Sequence, residues 1–339
     1  CQLLGIELNV PLRYAHRFCD FDHLQGWLDN RDLTDAWFEG NNLLFVGQLL
    51  VYLRDVEAHP QAQEALDLWF AWLDRHVDPR TGLWGTDRGC SRYRALFGGY
   101  HQLLVYYHED RALPHAQRLI DTVLDLQHPD GGFSPGGGGG ACEDVDAVDV
   151  LVNLYKRLDY RRAAIRGALR RCLRHLERLQ NPDGGFPYKA GTPYTHMGIP
   201  ATACGLGGSN MFATWFRVHT LALIAEILTD EPSLQQQAFR FAPTLSMGWH
   251  QPWDRAAHAL RPSDRAADAL AGARWRIGKR MQKTLKRGRR AAAKVKNRVL
   301  KRRPSVALAC SRCPSALGMH RPATAAHHGV GVNRRGIRG

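Results

Sequence analysis

Hydrophobic positions along the chain fall into two alternating kinds of segment. Leu66, Trp69, Phe70, Leu73 and Val77 form a stripe at helical spacing, and Leu119, Ile120, Val123 and Leu124 form a second. A third runs through Ile165, Ala168, Leu169, Cys172, Leu173, Leu176 and Leu179, with Arg166, Arg170, Arg171, Arg174 and Arg178 on the opposite face. Each stripe predicts a half-wet helix. Between and beyond them lie segments that are apolar over most of their circumference, Leu43 to Leu53, Tyr100 to Tyr107, Val145 to Leu158 and Met211 to Leu228. A helix apolar nearly all round is buried on all sides, so these predict an inner layer.

The alternation is a sequence repeat. Gln127-His128-Pro129-Asp130-Gly131-Gly132-Phe133 recurs 53 residues later as Gln180-Asn181-Pro182-Asp183-Gly184-Gly185-Phe186, and Asp78 to Trp84 is a looser copy. Gln48-Leu49-Leu50-Val51-Tyr52 returns letter for letter 54 residues on, as Gln102 to Tyr106. Repetition at such a period describes helical hairpins whose members alternate between two layers. The expected fold is all-α, an α/α toroid over residues 35–250, rather than an open solenoid, whose inner helices would carry a wet concave face. Residues 1–34 are read as a toroid remnant or linker, and 251–339 as a basic tail. Because the chain opens at Cys1, the ring is expected to lack N-terminal hairpins. Glycine after each outer helix permits left-handed backbone, so the Asp-Gly-Gly-Phe turns read first as structural.

The repeats at Gln127–Phe133 and Gln180–Phe186 resemble the Gln-Trp repeat of squalene and hopene cyclases, with Phe in place of Trp. They are also similar to the Gly-Gly-Phe turns of protein prenyltransferase β subunits. The resemblance covers residues 35–228 and implies the toroid fold. In class II terpene cyclases the segment resembling Asp144-Val145-Asp146-Ala147 is Asp-x-Asp-Asp, and its central Asp protonates an alkene or epoxide. The resemblance therefore implies Asp146 as proton donor to an isoprenoid, with Ala147 a departure from the pattern. His219-Thr220 resembles the prenyltransferase zinc-ligand segment, but no Asp-x-Cys pair accompanies it.

Candidate chemistry follows from polar residues on inner helices. Glu143, Asp146, Asp149 and Asn153 share one face of the Val145–Leu158 segment, and crowding carboxylates in a cavity raises the pKa of at least one. Asp144 joins this acidic group. Aligning the repeats places Gly47, His101, Asp149 and His219 at equivalent positions. The last three would then converge as an acid–base group or as a two-His, one-carboxylate metal site, against the plainer reading of hydrogen-bonded core histidines. The reading adopted needs no metal and no cofactor.

A rival use of the same barrel is carbohydrate chemistry, with Asp146 and Glu39 as paired carboxylates and Trp37, Asn41, Asn42, Trp84, Tyr188 and Tyr194 lining a cleft. Asn210 and Arg217, at the start of the last inner helix, are further substrate-binding candidates. A third reading is a non-catalytic helical scaffold. The loop Pro187–Asn210 is long enough for a lid and equally serves as a bridge.

Charge changes the picture at one end only. The net charge is +14, but residues 271–339 hold 20 Lys and Arg and no Asp or Glu, leaving 26 basic against 32 acidic residues before them. That tail suits a solvated segment or peripheral contact with anionic membrane, and nucleic-acid binding is disfavoured. Cys310, Cys313, His320, His327 and His328 have zinc-like letters without a second tight pair. Eight scattered cysteines read as reduced thiols in a cytoplasmic protein. The longest apolar run, Leu43–Leu53, is too short to span a bilayer.

Overall fold

The structure, a computed structural model, describes residues 10–235, 239–242 and 244–250, with positions 6, 270, 281, 284 and 287 in isolation. The chain divides into two compact units, Cys1–Lys283 and Thr284–Gly339, and the account below concerns the first. The expected basic stretch and the Cys310–Cys313 pair lie outside the described residues, apart from Met281, Thr284 and Arg287.

The described residues are helical. Helices α1 (Phe21–Asp29), α2 (Ala36–Asp55), α3 (Ala62–His76), α4 (Arg92–His108), α5 (Ala116–Leu126), α6 (Ala141–Arg157), α7 (Arg162–Glu177), α8 (Met211–Ile227) and the short α9 (Pro232–Gln235) follow in order. One two-residue antiparallel ladder joins β1 (Val77–Asp78) to β2 (Leu83–Trp84). Helices α2, α4, α6 and α8 pack side by side in sequence order, and α3, α5 and α7 cover them from outside. This is the all-α, toroid-like arrangement of hairpins that the repeat predicts. Helix α1 extends the outer layer, where Trp72 Nε1 on α3 donates to Asp29 Oδ1 at 2.9 Å.

Local sequence sets where the inner helices begin. Asp35, Ser91 and Asn210 cap α2, α4 and α8 by accepting from the backbone N–H of Phe38, Arg94 and Ala213. Helix α6 has no side-chain cap, but Glu143 and Asp144 occupy its first turn, where the helix dipole favours anions. Since an outer helix returns the chain each time, the four inner helices run the same way and their N-termini gather at one end.

Close approach of α2 and α4 requires glycine. A Cβ on Gly98 would lie 2.5 Å from the carbonyl carbon of Ala36 and 3.0 Å from Cα of Trp37, against backbone that cannot rotate aside. Gly40 meets Gly98 from the other side of the crossing.

The repeated turns are structural, and their atoms show why. Gln127 Nε2 donates to the carbonyls of Gly131 at 2.8 Å and Ala168 at 2.9 Å, and its Oε1 accepts from Arg171 Nε at 2.9 Å. One glutamine thus closes its own turn and fastens it to the next outer helix. Gly131 takes a φ of 105° and Gly184 a φ of 81°, and the aromatic that ends each copy, Trp84, Phe133 or Phe186, is buried.

After α8 the chain turns back across the inner layer. The Leu245 carbonyl accepts from Gln48 Nε2 on α2 at 2.9 Å, Phe241 lies 6.3 Å from the His219 ring on α8, and His250 meets Lys156 Nζ on α6. The last inner helix is linked back to the first by this segment.

Candidate active site

At the N-terminal end of the inner helices lies a cavity of about 620 Å³, within the ~300–1,000 Å³ common for small-ligand sites. Helix α2 contributes Trp37, Phe38 and Asn41, α4 contributes Arg94 and His101, α6 contributes Cys142 and Asp146, and α8 contributes Phe212 and Phe216. Asp35, Met247, Tyr188 and the run Tyr194 to Met197 complete the wall. Phe38 and Met197, 64% and 85% exposed, mark the mouth.

Asp146 is 2% exposed and faces this cavity. Burial raises its pKa well above the usual carboxylate range, and the charges of Glu143, Asp149 and Asp144 push in the same direction. Both causes favour the protonated carboxyl. His101 lies on the α4 wall, and burial depresses its pKa to about 4, outweighing two backbone contacts that favour the charged ring. His101 is accordingly neutral at pH 7.

The rest of the acidic segment is used otherwise. Asp144 is fully buried, accepts from the Phe133 backbone N–H at 2.6 Å and pairs with Arg217 on α8. Arg217, also fully buried, donates to the Tyr188 carbonyl at 3.0 Å. Neither residue lines the cavity, so the expectations of Asp144 as a reacting group and Arg217 as a substrate contact are corrected: together they pin α6, α8 and the repeat turn. Glu143 accepts from the Tyr188 hydroxyl at 2.8 Å and lies beside the cavity wall rather than on it.

Of His101, Asp149 and His219, which the repeat register groups, only His101 lines the cavity. Asp146 and Phe216 stand one turn nearer the mouth than Asp149 and His219, and they are the residues that reach the cavity. Helix α4 has Gly98 at the corresponding step and admits His101 instead. Burial alone lowers the pKa of His219 to about 4, and no charge of Asp149 acts on either histidine. Among the described residues no group of three or more His, Cys, Asp or Glu is placed to hold a metal.

Three further expectations are corrected. Glu39 is held by Arg31 Nη1 at 3.0 Å and Asn42 Nδ2 at 3.1 Å, away from the cavity, so it does not pair with Asp146. Trp84 belongs to the core, with Nε1 donating to the Leu73 carbonyl at 2.9 Å. Asn210 caps α8, and its Nδ2 meets Cys204 Sγ at 3.3 Å. Trp37, Asn41 and Tyr188 do line the cavity.

The loop after α7 is part of the wall. Tyr194 pairs with Cys204 across it, the Tyr188 and Tyr194 rings stack at 3.8 Å, and His196 lies 3.9 Å from Phe212. Arg94, Phe212 and Phe216 line the cavity without having been singled out in the sequence. Phe212 and Phe216 occupy the same first and second turns of α8 as Cys142 and Asp146 do on α6, a register signal that would have found them.

Among the described residues no helix is long and apolar enough to cross a membrane. No protein-family model and no curated protein matches the chain. A solved polysaccharide lyase is similar to it at 15% sequence identity over 65% of this chain and 68% of that one, with a TM-score of 0.39.

Proposed function

We propose that the chain is a carbohydrate-active enzyme in which Asp146 is the general acid. The observation that carries this reading is a buried carboxyl, its pKa raised by burial and by neighbouring carboxylates, on the wall of a solvent-open cavity flanked by aromatic rings. Aromatic faces suit the apolar faces of sugar rings, and Asp35, Asn41, Arg94, Thr195 and His196 offer hydrogen bonds at the same wall. Asp146 gives its proton to the glycosidic oxygen as the leaving group departs. General acid–base catalysis of this kind supplies roughly 10²–10⁴ in rate.

The isoprenoid reading rests on the apolar lining from Phe212, Phe216, Met197 and Met247. Against it stand the open mouth, which admits water to any carbocation, and the engagement of Asp144 with Arg217.

The test is turnover of oligosaccharide and polyprenyl pools by the parent and by Asp146→Asn. Cleavage of an oligosaccharide that falls about 10²–10⁴-fold in the variant is expected. Turnover of a polyprenyl substrate instead, or oligosaccharide cleavage equal in both proteins, would overturn the assignment. Inactivity on both pools favours the scaffold reading.

A further inference from the structure

The return segment after α8, described at residues 239–242 and 244–250, touches all four inner helices. Its Leu245 carbonyl accepts from Gln48 Nε2 on α2 at 2.9 Å, and the Trp249 ring lies 5.2 Å from His108 on α4. Phe241 lies 6.3 Å from His219 on α8 and 4.6 Å from His250, and His250 Nε2 meets Lys156 Nζ on α6. The segment folds on itself at Gly248, φ 97°, whose carbonyl accepts from the Ala242 N–H at 3.0 Å. Between these contacts Met247 lines the cavity. One short stretch of chain therefore both straps the inner helices together and supplies part of the cavity wall.

The contact of His250 with Lys156 has a chemical condition. An ammonium group only donates, so the imidazole must present a lone pair and be neutral. The Lys156 side chain is 4% exposed and His250 is 5% exposed. Glu226 Oε2 on α8 stands 3.5 Å from Lys156 Nζ. Burial lowers the pKa of Lys156 to about 8 against the opposing pull of Glu226 and Asp149, so it is a cation throughout the acid range. A proton on His250 would remove the acceptor and set two cations in contact in the interior. The other groups facing His250 give no relief. After burial and Lys156, His219 on α8 and Arg157 on α6 also oppose its charge, and its pKa falls to about 2. His108, on the α4 side beside Trp249, is engaged with Glu109 at 2.8 Å.

We propose that the return segment is an acid-released strap: protonation of His250 breaks its contact with Lys156, frees the segment from the inner helices and opens the cavity wall at Met247. The proton comes from solvent, and no covalent bond other than the N–H changes. The docked segment excludes a proton that the released imidazole takes up near pH ~6.5. Docking is therefore at full strength above that pH and weakens about tenfold for each pH unit below it. This device is independent of which reaction the cavity performs.

The test is hydrogen-exchange mass spectrometry of the full chain between pH 7.5 and 5, with rates normalised for the intrinsic effect of pH. Protection of residues 239–250 should fall about tenfold per pH unit below ~6.5, while α4 and α6 keep theirs. His250→Gln, which retains an acceptor for Lys156 and does not titrate, should abolish that slope. His250→Leu, apolar beside Phe241, is a second untitratable variant, and a slope that persists in both overturns the proposal. So does a parent without the fall, or one in which α4 and α6 lose protection equally. The Met247 methyl signal, assigned by Met247→Leu, should shift over the same pH range. A Met247 signal that stays put while the strap loosens overturns the opening of the wall, and a His250 ring titrating near pH ~6.5 in a strap that stays protected overturns the release itself.

Discussion

Replacing Gly98 by alanine tests how the inner layer is held together. The added methyl would sit 2.5 Å from the Ala36 carbonyl carbon and 3.0 Å from Trp37 Cα, where carbon atoms prefer ~3.5–4.0 Å. Both obstacles are backbone, so relief requires α2 to move away from α4 by about 1 Å. Overpacking of this kind costs about 1–3 kcal/mol, and the stiff surroundings place it near the upper figure. Alanine returns about 0.5–1 kcal/mol through the lower entropy of the unfolded helix position, leaving a net loss of about 2 kcal/mol. Gly26 in α1 is the control: a Cβ there meets nothing within 4 Å, and Gly26→Ala should gain about 0.5–1 kcal/mol. Urea unfolding followed by tryptophan fluorescence should separate the two variants by about 3 kcal/mol, through the midpoint and not the slope. A Gly98→Ala protein as stable as Gly26→Ala would refute the close-packed crossing. The same displacement would carry Trp37 and Asn41 away from Arg94 and His101, so the cavity should be disturbed as well.

Two further outcomes follow from the buried charges. Arg217→Met leaves Asp144 as an unpaired interior anion and should cost about 3–5 kcal/mol in urea unfolding, while adding Asp144→Asn should recover much of it; equal loss in single and double variants would contradict the ion pair. Asp149 has its folded pKa raised to about 7 from 3.8, so the native chain holds a proton that the unfolded chain releases. Its contribution is neutral below about pH 4 and increasingly unfavourable as pH rises toward about 7. Asp149→Asn should therefore match the parent in stability near pH 3.5 and exceed it at pH 7 by on the order of 2–4 kcal/mol. A constant offset across that range would contradict the buried, uncharged carboxyl.

The fold was legible because a repeat displays the same pattern several times. The stripe from Ile165 to Leu176 is buried as its spacing implies. Arg166, assigned to the wet face, is 2% exposed, with Nη1 on the Ile227 carbonyl and Nη2 on Asp230 at 2.8 Å. Its partners lie about sixty residues away in sequence, so no local pattern announces them. At the site, the helical phase of α6 put Asp146 on its polar face, and Asp146 lines the cavity; repeat register grouped His101 with Asp149 and His219, of which only His101 lines it. Register does not give depth, however, and a side chain one turn nearer the mouth decides which residue meets the cavity. Asp144 was misread for a related reason: it lies two residues from Asp146, which turns it from the cavity toward Arg217. Motif letters treat the two aspartates alike, whereas the helix does not.

The central claim is that Asp146 carries a proton at neutral pH on an open cavity wall. Carbon-13 NMR of protein labelled at the aspartate carboxyl, with Asp146→Asn to assign the signal, measures this directly. A resonance that remains in the protonated position at pH 7 is the predicted result, and one that titrates near the ordinary aspartate value of ~3.9 would contradict the account.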